Sequence, residues 1–447
     1  MEKALKDFED RRVGLEQELF LVDEAGNLSG RADEFLGRCR ELAASEGVDP
    51  ESFAPECATS MVEVNTAPAR TLEELSSNYL DSLRLALEAG RDLGLRLYPL
   101  ATYPLPVTPT MREEAHYRAQ ARTMGPGRFL HAGRCTGTHL HLEMPDGTVD
   151  PQLGVGEGLP PAALEELLNV YNLATALDPA LVALTRSCPF YQGVADGLAA
   201  RTAHYRGDRE LAPHGLYADL PLLGDLLPYA STAGELARQQ FTRYEAWLAA
   251  VTRAGVDPGL FPREKGYLLK AAWNPVRLNS HGESGSTVEL RSIDSNLPDT
   301  VLAVVSLVKR AVDRLRRDGL TVEPSEEVGV LSVDGDRLLV PGFAYLRGHL
   351  FREAAARCLD SPQMVSYLDS VVEFAGDGVP AFEGFTTADG GYTNPETELL
   401  GELAHLAGPI PEDEGLRLVR RSCEELEERV ATLRAGRGTA SAETGAL

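Results

Sequence analysis

Alternation of apolar and polar positions marks the first element. In VGLEQELFLVD, Val13 to Asp23, residues Leu15, Gln17, Leu19 and Leu21 share one face and Glu16 and Glu18 the other, which is the period of a half-buried strand. MVEVNT repeats it, with Met61, Glu63 and Asn65 opposite Val62 and Val64. CTGTHLHLEM, Cys135 to Met144, sets His139, His141 and Glu143 against Leu140 and Leu142, then closes at the turn residues Pro145 to Gly147. LRLYPLATYP, GYLLKAAWNPVRLN and STVELRSID predict further strands, the last with Thr287, Glu289 and Arg291 at one parity.

Helical spacing takes over between these runs. In TLEELSSNYLDSLRLALEAGRDLG, Thr71 and Glu74 form a capping-box pattern, and Leu75, Tyr79, Leu83, Ala86 and Leu87 recur on one side. Pro160 to about Leu177 carries the apolar strip Leu164, Leu167, Leu168, Tyr171 and Ala174, and a further helix runs from Pro298 to about Arg317. Beyond Leu346 the pattern is mainly helical, and the small polar residues 436–447 predict a disordered tail. Strands and helices alternate irregularly, without βαβ units, internal repeats or a long linker. The expected fold is therefore α+β: one catalytic domain over residues 1–435, built on a concave antiparallel sheet with flanking helices.

Charge narrows the function. The 447 residues hold 43 Lys+Arg against 68 Asp+Glu, a net charge of −25 that argues against a nucleic-acid or anionic-membrane surface. No apolar run, Val301 to Val308 included, approaches the roughly 20 residues of a membrane span. The first residues, MEKALKDFEDRR, lack the apolar centre of a secretory signal. Six cysteines (Cys39, Cys57, Cys135, Cys188, Cys358 and Cys423) are scattered without a CxxC pair, as suits reduced thiols. A cytoplasmic enzyme acting on small molecules is expected, and sheet-edge pairing offers a route to a homo-oligomer.

The chemistry lies in the polar strand faces. One pair such as Glu16 and Glu18 describes a solvated sheet face, and Glu289 with Arg291 an exposed ion pair. Several strands carrying carboxylates, histidines and arginine at i, i+2 spacing are explained more simply by one shared cavity. Clustered carboxylates repel unless cations lie between them, and hard divalent ions such as Mg²⁺, or Mn²⁺, prefer oxygen ligands and are commonly shared with nucleotide phosphates. An acidic cavity with arginine and lysine at its rim thus suggests ATP with its metals. No GxxxxGK[ST] loop and no GxGxxG after a strand is present.

These segments together resemble the glutamate-cysteine ligase family of carboxylate-amine ligases, related in fold to glutamine synthetase. VGLEQELFLVD is similar to its opening G-x-E-x-E strand, ECATSMVEVNT to its second acidic strand with Glu56 and Glu63, and GTHLHLE to its G-x-H-x-H strand. SCPFYQGVADGLAAR resembles its S-P-F segment with a following Asp and Arg, though Cys188 is inserted before the proline. WNPVRLNSHGESGSTVELRSID resembles its Trp-to-Arg stretch with a following E-x-R strand. The resemblance implies metal ligation by Glu16, Glu18, Glu56, Glu63, His139 and Glu289. It sets His141 and Arg291 beside the ATP phosphates as catalytic groups, with Arg277, Lys270 and Arg201 for substrate or ATP. Glu56 lies outside any alternation and also fits an ordinary loop carboxylate. Arg118, Arg122 and Arg206 are further candidates for a substrate carboxylate, or solvated helix arginines.

The expected reaction is ATP-dependent amide formation through an acyl phosphate, with the γ-carboxylate of glutamate and cysteine or another amine. One rival is a zinc hydrolase using His139, His141 and Glu143 as an H-x-H-x-E ligand set. The other is a catalytically silent binding homologue that keeps the sheet.

Overall fold

A computed structural model describes residues 11–281, 285–376, 384–387, 390–406 and 408–444, with side chains as far as 436. Its centre is a seven-stranded sheet: β1 (Val13–Asp23), β2 (Phe53–Pro55), β3 (Met61–Asn65), β4 (Leu95–Tyr98), β5 (Gly137–Met144), β6 (Val276–Ser280) and β7 (Ser286–Asp294). The order is β6-β7-β5-β1-β3-β2, with β4 also on β1, and every pairing is antiparallel. The eleven residues of β1 serve three neighbours. Val13 to Gln17 pair with β5, Glu16 to Phe20 with β3 and Phe20 to Asp23 with β4. The α+β antiparallel expectation holds.

The principal helices are α1 (Ala32–Glu46), α2 (Leu72–Leu93), α3 (Ala115–Met124), α4 (Pro161–Thr185), α5 (Ala200–Arg206), α6 (Ala233–Arg253), α7 (Pro298–Arg317), α8 (Pro362–Ala375), α9 (Pro395–Leu403) and α10 (Glu412–Thr444). The Thr71 hydroxyl caps α2 by accepting from the Glu74 N–H, and the Glu74 carboxylate accepts from Arg70 N, one residue before the position of a capping box. Helices α2, α4 and α7 cover the apolar face of the sheet. There Leu15, Leu19 and Leu21 are buried with Tyr79, Leu83, Leu177, Val288 and Val304 in one continuous core. This packing leaves the other face of β1, β3, β5 and β7 to line a cavity.

Gln17 lies on the core face and is fully buried. Its amide nitrogen donates to Ser295 Oγ (3.1 Å) and to the Asn296 carbonyl (2.7 Å), and its oxygen accepts from the Tyr79 hydroxyl (2.5 Å). A buried amide must find such partners, and here they tie the first acidic strand to the segment entering α7.

Four expectations change. GYLLKAAWNPVRLN is not one strand: Gly266, at φ 78°, opens a helical turn over Tyr267–Lys270, Pro275 lacks an N–H, and pairing begins at Val276. Lys270 is consequently exposed on that turn and does not share the sheet face. The helix expected to stop near Leu177 runs to Thr185 through Pro179, because tertiary burial on all sides outweighs one lost backbone hydrogen bond. That helix is long and apolar enough to cross a membrane, which the longest apolar run does not suggest, but its apolar window is 94% buried inside the protein. Helix α10 continues to Thr444, so most of the stretch from 436 expected to be a tail is helical backbone.

All six cysteines are free and buried. Cys188, inserted before Pro189, does not face a substrate pocket. It packs with Tyr98 and Phe190 in a small apolar cluster, where the Thr102 N–H lies 3.3 Å from its sulfur.

Candidate active site

Cross-strand register assembles the polar side chains in rows. Glu16 pairs with His139 on one side and Asn65 on the other, Glu18 pairs with Glu63, and Glu289 pairs with both His141 and Arg277. Residues directly opposite on one face lie within side-chain reach. Glu56 arrives differently: β2 ends at Pro55, and the next residue folds over the sheet edge toward Glu18 and Glu63. A cavity of about 180 Å³ results, lined by Glu16, Glu18, Glu56, Glu63, His139, Arg277 and Arg291, with the aromatic rings of Tyr117, Tyr205 and Trp273.

Among the described residues, three sets of potential ligand atoms lie mutually within 4.8 Å: Glu16, His141 and Glu289; Glu16, Glu63 and His139; and Glu18, Glu56 and Glu63. The carboxyl–imidazole contacts are close. Glu16 Oε2 is 3.1 Å from His139 Nδ1, and Glu16 Oε1 is 3.1 Å from His141 Nε2. His139 Nε2 is buried 3.5 Å from Glu18 Oε1 without a hydrogen bond, which leaves it open to a further partner. On the far side, His141 Nδ1 is 3.3 Å from Thr287 Oγ1.

Charge in this cavity is unevenly balanced. Burial and the Glu18 carboxylate push Glu56 up to about 8. Burial and the charges of Glu16, Glu56 and Glu18 raise Glu63 well above the ordinary carboxyl range. Glu16 goes the other way: burial opposes its charge, but His141 and His139 hold its carboxyl well below the usual value. Burial lowers His139, helped by Arg291, whereas His141 is raised because Glu16 and Glu289 outweigh its burial. Two buried carboxyls that resist ionisation beside two imidazoles describe a site short of positive charge.

Glu289 holds the opposite end. It is fully buried, and Arg277 grips it through Nε at 2.7 Å and Nη2 at 2.9 Å while Asn279 adds a contact at 3.3 Å. Arg291 reaches it through Nη1 at 2.5 Å, and the same nitrogen lies 3.2 Å from His139 Nδ1. Burial opposes the charge on Glu289, but these two guanidiniums keep its carboxyl well down. The Arg291 N–H bonds the Pro275 carbonyl, extending the β6–β7 ladder by one residue, while the β7–β5 pairing shifts register between Leu290 and Ile293. The Glu289–Arg291 pair is thus interior and not an exposed surface pair.

The other sequence candidates separate clearly. Arg201 is buried, stacks over Tyr205 and donates to the Arg291 carbonyl at 3.1 Å. Gly137 makes room for it: a Cβ there would stand 2.1 Å from Arg201 Nη2. Arg206 is committed to Asp178 inside the core (2.9 Å), and Arg118 and Arg122 are exposed on α3. Lys270 stands outside the cavity lining. Glu143 does not join the histidines: both its oxygens accept from Arg12, at 2.8 Å from Nε and 2.7 Å from the backbone N–H. The H-x-H-x-E zinc set is therefore not assembled. Glu143→Gln is expected to leave turnover within about 3-fold of wild type and stability within about 1 kcal/mol, as for a half-exposed surface pair. Steady-state rates and a melting curve check this.

Asn65 and Asn279 touch the carboxylates of Glu63 (3.0 Å) and Glu289 (3.3 Å), and strand parity already aligned Asn65 with Glu63. Tyr117, Tyr205 and Trp273 come from two helices and a loop, and no spacing in the sequence connects them.

A family model described as glutamate-cysteine ligase family 2 matches residues 12–327. A Frankia alni protein provisionally named glutamate–cysteine ligase 2-3 is 25% identical over 333 residues, covering 72% of this chain and 32% of the relative. A Streptomyces avermitilis protein provisionally named glutamate–cysteine ligase 2-1 is 26% identical over 432 residues, covering 95% of this chain and 96% of its own. The chain thus spans about a third of the first relative's length and nearly all of the second's. The structure of a bifunctional glutathione synthetase from Pasteurella multocida is alike in fold, with a TM-score of 0.52 at 14% identity over 96% of this chain and 54% of that one.

Proposed function

Because this chain belongs to glutamate-cysteine ligase family 2, we propose that it is an ATP-dependent carboxylate–amine ligase, taking the γ-carboxylate of glutamate as its acid and a primary amine as acceptor. The observation that carries this reading is the trio of carboxylate and imidazole sets on one sheet face, with Arg277 and Arg291 beside them. Oxygen-rich donors, two carboxyls pushed up by burial and mutual repulsion, and the buried His139 Nε2 without a hydrogen bond suit hard divalent cations.

Glu16, Glu18, Glu56, Glu63, His139, His141 and Glu289 would hold Mg²⁺ or Mn²⁺, which when bound neutralises phosphate and carboxylate oxygens. The substrate carboxylate attacks the γ-phosphorus of ATP and ADP leaves. The acceptor nitrogen then attacks the acyl carbon and the C–O bond to phosphate breaks. An acceptor that enters as an ammonium sheds two protons, one carried off by the phosphate and one released to the medium. The chain's own part is alignment and charge. Glu289 and His139 hold Arg291 through Nη1, so its guanidinium is fixed where phosphoryl charge would develop. Arg277 keeps Glu289 ionised, and Arg201 supports the Arg291 backbone.

Formation of ADP is expected only when ATP, Mg²⁺ or Mn²⁺, glutamate and an amine are all present, measured by a coupled ADP assay. Amide hydrolysis without ATP, in protein carrying stoichiometric zinc, would instead support the hydrolase.

A further inference from the structure

The core face of β1 is apolar at Leu15, Leu19 and Leu21 but not at Gln17, which stands between the two glutamates of the opposite face and is fully buried. Replacing a buried hydrogen-bonded group and its partners by apolar ones of the same shape is close to neutral for stability, so stability alone does not call for an amide here. What the amide adds is direction. A side chain held in a completely satisfied buried network has one position, and so does the backbone that carries it.

The network leads to the acidic face. Ser295 Oγ, which accepts from the Gln17 amide, donates to the Glu18 carbonyl at 2.7 Å, where the pairing of β1 with β5 has ended at Gln17. The Glu18 carboxylate is held as well: its Oε2 accepts from the Gly137 N–H at 2.6 Å, and Gly137 pairs with Asp294, the residue before Ser295. Gln17, Tyr79, Ser295 and Asn296 are all fully buried, and both polar atoms of the Gln17 amide are used.

Strand β5 separates β1 from β7, and β7 shifts register on β5 between Leu290 and Ile293, beside Arg291. The Gln17–Ser295 link therefore ties β1 directly to the chain leaving β7, beyond that shift. The ligand atoms depend on this spacing. Glu16, His141 and Glu289 form a set drawn from β1, β5 and β7, and the set of Glu18, Glu56 and Glu63 depends on where Glu18 stands.

We propose that Gln17 and Ser295 are positioning residues for divalent-cation binding: from the core side they fix Glu18, and with it β1, relative to β7, and so set the ligand spacing that the cation meets. This inference rests on the reading above that the acidic face holds divalent cations, and adds residues that touch neither metal nor substrate.

Mn²⁺ alone, titrated into metal-free protein and followed by electron paramagnetic resonance of the free ion, tests it. Ser295→Ala and Gln17→Met are each expected to raise the Mn²⁺ Kd about 10-fold or more, measured well below the Tm of each variant. Leu21→Ala is the comparison. It opens a cavity on the same buried face of β1 and lowers Tm but leaves the link intact, so its Kd is expected to stay within about 3-fold of wild type. An unchanged Kd in either folded variant of the link, or an equal rise in Leu21→Ala, would overturn the proposal and leave the ligase reading standing. Absence of Mn²⁺ binding by wild type would remove the cation reading and the proposal together. If Gln17→Met folds poorly, Ser295→Ala, which deletes a single oxygen atom, gives the same readout.

Discussion

Arg291→Lys is expected to lose about 2 to 4 kcal/mol of transition-state stabilisation, roughly 30- to 1000-fold in turnover, with ATP binding much less affected. Lysine keeps the charge but not the planar fork. A guanidinium can hold Glu289 with one nitrogen and present the others to phosphate oxygens, whereas an ammonium is a compact, strongly hydrated point charge. The geometry makes the substitution demanding, because Arg291 Nη1 serves Glu289 at 2.5 Å and lies 3.2 Å from His139 Nδ1. Its side chain is 9% exposed and that of Glu289 0%, so solvent cannot replace what lysine fails to reach. Steady-state kinetics and a melting curve separate the roles. Near-wild-type turnover would remove Arg291 from the reaction, and equal losses of turnover and of Tm would assign it to the fold.

Glu63→Gln is expected to cut turnover on the order of 100-fold or more and to weaken Mn²⁺ binding, because Glu63 belongs to two of the three ligand sets. Without metal the same change should stabilise the fold. Burial and the charges of Glu16, Glu56 and Glu18 raise the Glu63 carboxyl, so its ionised form opposes folding, and glutamine removes that charge while keeping the shape. The sign follows from linkage: a raised carboxyl loses stability as pH rises through its folded value, so the advantage of the variant should grow with pH. Addition of Mn²⁺ should raise the Tm of wild type more than that of Glu63→Gln. Equal metal-induced shifts in Tm, with equal turnover, would make Glu63 a bystander. Losing activity while gaining stability is the expected mark of a site held together by its ligand.

Period carried most of what was legible. β1 runs over the residues its alternation marks, and the helix from Pro298 to Arg317 ends where expected, because one buried face forces hydrophobic spacing. Strand parity also aligned Glu16 with Glu18, His139 with His141, and Glu289 with Arg291. Register was not legible, since it is set by which strands become neighbours; only the fold brings Glu18 opposite Glu63 and His141 opposite Glu289. Glu56 came from resemblance alone, being one residue past a short edge strand with no period of its own. Glu143 misled, because parity placed it with the histidines while Arg12, far off in sequence, claimed both its oxygens. Lys270 failed for another reason: a left-handed Gly266 and the N–H-less Pro275 broke a run whose hydrophobicity alone suits a strand. The aromatic wall gave no signal, since its rings meet only through tertiary packing.

The central claim is that the acidic sheet face activates a carboxylate by phosphorylation before amide formation, and one isotope measurement tests it. Glutamate labelled with ¹⁸O in its γ-carboxylate is turned over with ATP, Mg²⁺ and the acceptor amine, and the inorganic phosphate is analysed by mass spectrometry. Acyl-phosphate chemistry predicts one ¹⁸O atom transferred to each phosphate released, in step with the amide formed. Unlabelled phosphate accompanying amide formation would contradict it.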